Sequence, residues 1–305
     1  MLVNVRRYSG GSTMGTEMEE SSGLARLGTL WRRRRAENDD WVTPETIRLG
    51  LRQGAFRMHY QPVVDAEHHR VVAIEALLRW RVPGGVRAAR EFIGVAAGHG
   101  LLSELDDALI GNACEFTREL QRDGLERLRL AVNVTASDLM PGNGLFGRIR
   151  DAIEAANLLP HWVQVEVREE DLIGHTDEVA RTFSALSTLG VSVTIDDFEA
   201  RADSRVVLGL PAVRAVKIDL WRAAGDPERE APAQAAARAA RNTGLAVGAK
   251  RLESPASIEL AEQLGADSLQ GFAFGTPMRP IELMRYFTEM GYGSSPSTER
   301  AIAGR

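Results

Sequence analysis

Lysine is scarce in this sequence. Of its 37 basic residues, only Lys217 and Lys250 are lysines, and all the others are arginines. The chain also has a single cysteine, Cys114, which excludes an internal disulfide. The helical pattern around Cys114 is typical of a packed small side chain rather than of a nucleophile. So strong a bias toward arginine makes each of the two lysines a candidate for a specific role.

Long apolar runs are absent too. No run reaches the roughly 18 apolar residues of a transmembrane helix, so no segment is expected to span a membrane. The arginine pair at residues 6–7 is not followed by a continuous apolar stretch, so the sequence predicts no secretory signal. With a net charge of −5 and a pI near 5.8, the chain is not expected to bind DNA or an anionic membrane. These absences predict a cytoplasmic protein.

The two ends of the chain differ in composition from its middle. Residues 1–42 are rich in Gly, Ser, Glu and Arg without a sustained period, and they predict a flexible leader. The arginine run at residues 32–35 is either a solvated charge cluster or a grip for an acidic partner or phosphates. Residues 292–305 predict a disordered tail. The folded domain is therefore predicted to extend over residues 43–291.

Between these ends, short apolar runs alternate with amphipathic segments. Thr43 and Pro44 predict the start of a helix and Gly54 its end. Strands are predicted at residues 56–64, 71–80, 128–134, 163–167, 191–196, 213–218, 245–249 and 267–271. Amphipathic helices are predicted at residues 103–121, 145–156, 176–189, 229–243, 255–264 and 280–290.

Such an alternation predicts parallel strands joined by helical crossovers. About 250 residues with some eight strands favour a closed, TIM-like (β/α)8 barrel within the α/β class. A doubly wound sheet is the alternative, but neither a G-x-G-x-x-G after the first strand nor a Walker loop is present.

Polar residues recur where the predicted strands end. They are Glu75, Asn133, Glu166, Asp196, Asp197, Lys217, Asp219 and Gln270. Because the carboxyl ends of parallel barrel strands meet on one face, these side chains are expected to converge there. Carboxylate and amide oxygens suit Mg²⁺ or Mn²⁺, and adjacent aspartates could bridge two ions about 4 Å apart. The alternative is that each acid caps the helix after its strand.

A series of motifs carries a family resemblance, in the order in which the family has them. They are YQPVVD (60–65), EALLRW (75–80), VNVTASDL (132–139), VEVREEDL (165–172), IDDF (195–198), VKIDL (216–220) and LQGFAFGTPM (269–278). Together they cover nearly all of residues 43–290 and resemble the EAL phosphodiesterase family, which hydrolyses cyclic di-GMP to linear pGpG. The resemblance implies a barrel of the EAL type and bacterial cyclic-di-GMP signalling.

The resemblance also implies roles for individual residues. Lys217 matches the lysine that orients the attacking water, and Glu169 matches an acid that steadies the loop after the paired aspartates. The metal ligands that it implies for Mg²⁺ or Mn²⁺ are Glu75, Asn133, Glu166, Asp196 and Asp197. The substrate-binding residues that it implies are Gln61, Glu75, Leu77, Arg79, Asn133, Asp219 and Gln270, with Arg79 gripping a phosphate.

The sequence departs from the family at the position of the general base, which hydrolysis requires. The family's Ala-Glu-Gly-Val-Glu segment, whose first Glu is the general base, reads Ala-Lys-Arg-Leu-Glu at residues 249–253. A protonated Lys250 cannot accept a proton from water. Beside a divalent ion at 4 Å it would also cost roughly 8 kcal/mol at an effective dielectric of 20. Either the lysine loses its proton, as buried lysines sometimes do, or at least one metal is lost, and we expect the loss of metal.

Two further departures affect the same machinery. The Phe-Gly-Thr-Gly run of the family is replaced by Phe-Glu-Ala-Arg at residues 198–201, so two glycines that would allow a positive φ are absent. The usual Thr between the two acids of the fourth-strand motif is Arg168. Lys250 itself either neutralises the crowded carboxylates as a built-in counter-ion or points to solvent.

Three functions follow as hypotheses. The chain is either a non-catalytic receptor for cyclic di-GMP or a protein-interaction domain that has lost the nucleotide. The third hypothesis is an active phosphodiesterase in which Glu253 or a metal-bound hydroxide compensates for the missing base. A regulatory protein partner is expected but not identified, and a homodimer is possible.

Overall fold

A computed structural model describes residues 41–201 and 204–292. The leader predicted over residues 1–42, with its arginine run, and the tail predicted over residues 292–305 lie almost entirely outside these ranges. None of the described helices is both long enough and apolar enough to cross a membrane.

The described residues contain nine strands, and after the third of them strands and helices alternate. The strands are β1 (Phe56–Asp65), β2 (Val71–Val82), β3 (Gly85–Ala88), β4 (Arg129–Asn133), β5 (Val163–Arg168), β6 (Ser192–Asp196), β7 (Val213–Asp219), β8 (Ala246–Lys250) and β9 (Ser268–Leu269). The first six helices are α1 (Pro44–Arg52), α2 (Ile93–Gly98), α3 (Leu102–Arg122), α4 (Ala136–Leu139), α5 (Leu145–Ala156) and α6 (Glu169–Leu172). The others are α7 (Thr176–Leu189), α8 (Ser204–Leu208), α9 (Pro227–Asn242), α10 (Pro255–Gln263) and α11 (Pro280–Glu289).

Eight of the strands close into a barrel. Their order is β1-β9-β8-β7-β6-β5-β4-β2, and a β1–β2 pairing completes the ring, while β3 continues the sheet beyond β2. Neighbours from β2 through β4 to β9 are parallel. The predicted (β/α)8 barrel is thus confirmed, and the doubly wound sheet is excluded.

The first strand is an exception to the expected parallel arrangement. β1 pairs with β9 in the antiparallel sense, with Val64 opposite Leu269. A short turn, in which the backbone N–H of Asp65 donates to the carbonyl of Arg70, leads directly into β2. So short a connection joins antiparallel neighbours, whereas a parallel pair needs a crossover of a dozen or more residues. The predicted parallel arrangement with helical crossovers thus holds from β2 onward, and β1 is an exception to it.

The described residues form two compact units. The first contains residues 41–57 and 79–105. Its core is aromatic: Trp80 is fully buried, its ring centroid lies 4.8 Å from that of Trp41 and 5.1 Å from that of Phe56, and Phe92 packs edge-on at 5.4 Å. Thr43 caps α1 as predicted, since its hydroxyl accepts from the backbone N–H three residues later.

The second unit contains residues 58–78, 106–201 and 204–292, and it holds the barrel. Along β5, the fully buried Val165 and Val167 alternate with Gln164 and Glu166, so that one side of the strand is apolar and the other polar. The helices bury one stripe each; in α7 it contains Val179, Phe183 and Leu186. Cys114 is fully buried in α3, and burial raises the pKa of its thiol to about 12, as expected for a packed side chain.

Candidate functional site

Lys217 is the centre of a buried charge cluster within the barrel. Its side chain, on β7, is only 7% exposed. Its Nζ lies 2.6 Å from Oε1 of Glu166 on β5 and 3.3 Å from Oε2 of Glu75 on β2. It also donates a hydrogen bond of 3.0 Å to the side-chain oxygen of Gln270. One ammonium on β7 thus bridges side chains from β2, from β5 and from the end of β9.

The two glutamates of this cluster differ in their pKa values. Burial alone would raise both. At Glu75, the Lys217 ammonium and hydrogen bonds from Asn133 and Gln270 outweigh burial and lower the pKa to about 2. At Glu166, burial prevails over the attraction of Lys217, and the pKa rises to about 7. Burial tends to lower the pKa of Lys217, but the two glutamates raise it, so this ammonium is held in its charged form.

Side-chain amides hold Glu75 from both sides. Gln270 donates to its Oε2 at 2.6 Å and Asn133 to its Oε1 at 2.7 Å. Gln270 also donates to Gln61 at 3.2 Å, and Gln61 in turn donates to the carbonyl of Gly275. The structure therefore brings together six of the residues singled out in the sequence, although Glu75 lies in the middle of β2 rather than at its end.

The second lysine forms a separate cluster at the mouth of the barrel. Lys250 is the last residue of β8, and its Nζ lies 2.7 Å from Oδ1 of Asp196 and 2.7 Å from Oδ1 of Asp197. It also donates a hydrogen bond of 2.8 Å to the other oxygen of Asp196. Burial acts to lower the pKa of Lys250, but the two aspartates outweigh it and raise it. The side chain is therefore turned toward the paired acids and not toward solvent.

The loop after the paired aspartates is tied to Glu169. This carboxylate, buried at the start of α6, accepts hydrogen bonds from the backbone N–H of Glu199 at 2.8 Å and from the hydroxyl of Ser204. The loop nevertheless needs two left-handed residues, Asp197 with φ 50° and Ala200 with φ 58°. Aspartate tolerates this region, whereas alanine does so only under strain.

Asp219 belongs to a third group, at the rim of the barrel. Its Oδ2 accepts from Arg251 Nη1 at 3.0 Å, and its Oδ1 accepts from the backbone N–H of Trp221 at 2.7 Å. Arg251 follows Lys250 directly and has a φ of 61°. Asp219 and Lys250 are register partners on the neighbouring strands β7 and β8, so this group and the Lys250 cluster adjoin.

The remaining predicted residues lie outside these clusters. Leu77 is half-buried on β2, and Glu253, in the segment between β8 and α10, is exposed. Arg79 lies in the first unit, where it is the register partner of Ala88 on β3. Their roles toward a substrate therefore stay predictions.

Sequence reasoning missed Gln164 and the surroundings of Arg251. Gln164 donates a hydrogen bond of 3.1 Å to Oε1 of Glu166. The signal was available, because residues two apart on a strand share a face. For Arg251 no comparable signal exists, since its contact with Asp219 depends on the path of the chain after β8.

That path is fixed by a close backbone approach. A Cβ atom at Gly271 would lie 2.1 Å from the carbonyl oxygen of Leu252 and 2.3 Å from its nitrogen. The N–H of Leu252 donates to the carbonyl of Gln270 at 3.1 Å, and the N–H of Ala273 donates to the carbonyl of Leu252. Only glycine at 271 allows this contact, which holds the segment after Lys250 against Gln270.

Comparison with known proteins decides the family. The family model described as EAL domain matches residues 45–277, more than half of the chain. The chain belongs to the EAL domain family. The resemblance drawn from the motifs is confirmed.

Relatives of this EAL domain include proteins of Pseudomonas aeruginosa. It is 32% identical over 256 residues to the cyclic di-GMP phosphodiesterase NbdA, covering 83% of this chain and 33% of that protein. It is 30% identical over 242 residues to the bifunctional diguanylate cyclase/cyclic di-GMP phosphodiesterase MucR, covering 78% of this chain and 35% of that protein. The chain thus spans about a third of the length of these relatives.

Solved structures agree with the fold. The MucR phosphodiesterase in complex with c-di-GMP superimposes with a TM-score of 0.74 at 30% identity, covering 78% of this chain and 98% of that one. The FimX EAL domain of Pseudomonas aeruginosa, bound to c-di-GMP, gives a TM-score of 0.66 at 22% identity, with coverages of 76% and 94%. The second likeness concerns the fold alone.

The side chains of this EAL domain do not fit the pair of divalent ions that its family implies. Glu75 and Glu166 are turned to the Lys217 ammonium, and Asp196 and Asp197 to that of Lys250. Within residues 41–201 and 204–292, no three acidic, histidine or cysteine side chains are grouped as a metal site. A divalent ion between Asp196 and Asp197 would have to displace Lys250, because both cations need the same oxygens.

Proposed function

We propose that this EAL domain is a non-catalytic receptor that binds cyclic di-GMP without hydrolysing it. The observation that carries the proposal is the ammonium of Lys250, 2.7 Å from both Asp196 and Asp197, at the position where the family has its general base. A lysine held between two carboxylates is a donor with no free lone pair. It can neither take a proton from water nor share those oxygens with a metal ion.

Nucleotide binding is supported from two directions. The amide and carboxylate side chains around Lys217, which match the family's binding residues, are held in a connected network of hydrogen bonds. The MucR phosphodiesterase, solved in complex with c-di-GMP, is 30% identical to this chain. In the proposal, an occupied site is recognised by a regulatory protein partner in the cytoplasm.

A second candidate is an active phosphodiesterase that produces pGpG. In its favour, NbdA and MucR carry phosphodiesterase in their names and are 32% and 30% identical to this chain. This function would require Lys250 to leave the paired aspartates, so that ions of Mg²⁺ or Mn²⁺ could bind there. Glu253, exposed and three residues beyond Lys250, would then be the base closest in sequence.

Calorimetric titration with cyclic di-GMP in EDTA, in Mg²⁺ and in Mn²⁺ tests the proposal, with chromatography of each mixture for pGpG. We expect binding in all three buffers and no significant turnover. Losing a general base typically lowers a rate by 10² to 10⁴-fold. A rate of about 1 s⁻¹ or above, ordinary for an enzyme, would favour the second candidate. No binding in any buffer would leave a domain that acts through protein contacts alone.

A further inference from the structure

We propose that Arg222 and Arg251, stacked on Trp221 at the rim of the barrel, bind a phosphate group of the cyclic dinucleotide. This inference rests on the proposed function and assigns residues to it that have no part in the metal chemistry of the family. The three side chains follow the ends of β7 and β8, on the same face as the Lys250 cluster.

The first observation is a stack of two cations on one aromatic ring. The guanidinium carbon of Arg251 lies 4.4 Å from the centroid of Trp221, and that of Arg222 lies 4.5 Å from it. Both arginines are exposed and Trp221 is half-buried. Stacking on an indole orients a guanidinium while leaving its N–H edge available, and that edge matches the oxygens of a phosphate in pairs.

The second observation is an imbalance of charge. Asp219 accepts from Arg251 at 3.0 Å and is the carboxylate of this group. For Arg222, no carboxylate of the described residues lies within 4.0 Å. Two positive charges are therefore gathered on one ring against one negative charge, and such an arrangement is complementary to a further anion.

The third observation is strain at both arginines. Arg222 has a φ of 54° and Arg251 a φ of 61°, in the left-handed region that favours glycine. Non-glycine residues in this region persist only where their surroundings hold them, and they are frequent at ligand clamps. At 251 the family segment has glycine, so the strained residue is also the one that adds a charge.

The two departures from the family sequence at the end of β8, at positions 250 and 251, both make the barrel mouth more positively charged. Replacing Glu by Lys250 and Gly by Arg251 removes one negative charge and adds two positive ones at the mouth. Because Lys250 is already neutralised by Asp196 and Asp197, the rim arginines carry the charge that a bound phosphate would meet. They would supply to the phosphate the positive charge that metal ions supply in a hydrolytic site.

The test is a calorimetric titration with cyclic di-GMP in EDTA, of the parent and of Arg251→Gly, Arg222→Gly and Arg238→Ala. Both glycine variants relieve a positive φ, so they are expected to fold. Arg238 is an exposed arginine of α9 toward the end of that helix, and its variant controls for the loss of one charge. We expect each glycine variant to weaken binding by about tenfold, equal to about 1.4 kcal/mol, and Arg238→Ala to bind as the parent does.

Salt and a second nucleotide identify the group that is bound. Raising the salt to about 0.5 M should weaken the parent more than Arg251→Gly, because a phosphate contact is screened. If Arg251→Gly loses only its preference for cyclic di-GMP over cyclic di-AMP, the arginine recognises guanine and the phosphate assignment is wrong. If the parent binds cyclic di-GMP and both glycine variants bind it equally well, the role of the rim arginines is wrong, while the proposed receptor function still holds. If the parent does not bind cyclic di-GMP, both the role of the rim arginines and the proposed receptor function are wrong.

Discussion

The two lysines of this chain occupy two clusters that differ in burial. Around Lys217, which is 7% exposed, the partner side chains of Glu75 and Glu166 are 11% and 0% exposed. Around Lys250, which is 16% exposed, Asp196 is 11% and Asp197 47% exposed. The first cluster is almost entirely buried, whereas the second is more open to water at the barrel mouth.

This difference separates two uses of the same side chain. In the inner cluster an unpaired charge is poorly solvated, so Lys217 stabilises the barrel by compensating the buried glutamates. In the outer cluster water and dissolved ions can reach Asp197, so another cation can replace the lysine. The charge of Lys217 is thus needed for stability. The charge of Lys250 can instead be exchanged for that of another cation bound to the same aspartates.

The largest effect is expected from Lys217→Met. It leaves two buried glutamates without their cation, and breaking a buried ion pair in this way typically costs about 3 to 5 kcal/mol. Urea denaturation should show the loss. Adding Glu166→Gln should recover part of it, since it removes one of the uncompensated charges. A Lys217→Met protein as stable as the parent would show that the inner cluster is not held by this charge.

A smaller effect is expected from Lys250→Ala without divalent ions. The two aspartates then repel each other, but Asp197 is partly hydrated, so the loss should be about 1 to 2 kcal/mol. Millimolar Mg²⁺ should restore much of the melting temperature by binding the folded state alone. The Lys250→Glu variant should bind Mn²⁺ outright in calorimetry, which the parent should not. Identical melting of parent and Lys250→Ala, with and without Mg²⁺, would contradict the counter-ion role.

Binding of the nucleotide is expected to depend on Arg79. A guanidinium offers paired hydrogen bonds to a phosphate that alanine cannot replace. Arg79→Ala should weaken binding of cyclic di-GMP by at least tenfold, or about 1.4 kcal/mol, in calorimetry. The exposed Arg238 provides the matched control. Unchanged affinity would mean that the phosphate of the nucleotide is held elsewhere in the domain.

The smallest effect concerns the loop beside the outer cluster. Ala200 has a φ of 58°, and Ala200→Gly removes the clash of its Cβ in this conformation. Because glycine loses more chain entropy on folding, the net gain in unfolding free energy should be at most about 1 kcal/mol, measured in urea. A clear destabilisation would show that packing of the Ala200 methyl group outweighs its strain.

The barrel could be predicted from the sequence because the pattern that indicates each strand or helix lies within that one segment. Helix α7 was placed at its observed bounds, since its apolar spacing and the glycine that ends it lie within one segment. The direction of β1 could not be predicted, because alternating residues indicate a strand but not which way it runs. The observed end of β2 at Val82, two residues beyond the predicted strand, comes with its pairing to β3, whose four residues carry no apolar pattern of their own.

The sequence predicted which residues form the site, but not which of them contact each other. Motif order identified Lys217 and the acids around it, and the counter-ion hypothesis placed Lys250 among the carboxylates. No pattern in the sequence says that Gln270 holds Glu75, or which two acids Lys250 reaches. Such pairings depend on which strands are neighbours and on where each strand ends. Residues that match no family motif, such as Trp221 and Arg222, are recognised only once the chain has been folded around them.

The close approach of Gly271 to Leu252 bears on how this site can evolve. Backbone contacts hold the segment that follows Lys250 against Gln270 and Gly271, so the side chain at 250 can change while the course of the segment remains the same. A lysine codon and a glutamate codon differ by one nucleotide. The charge that decides between an internal ammonium and a metal ion is therefore one mutational step from reversal, with the backbone around position 250 already in place.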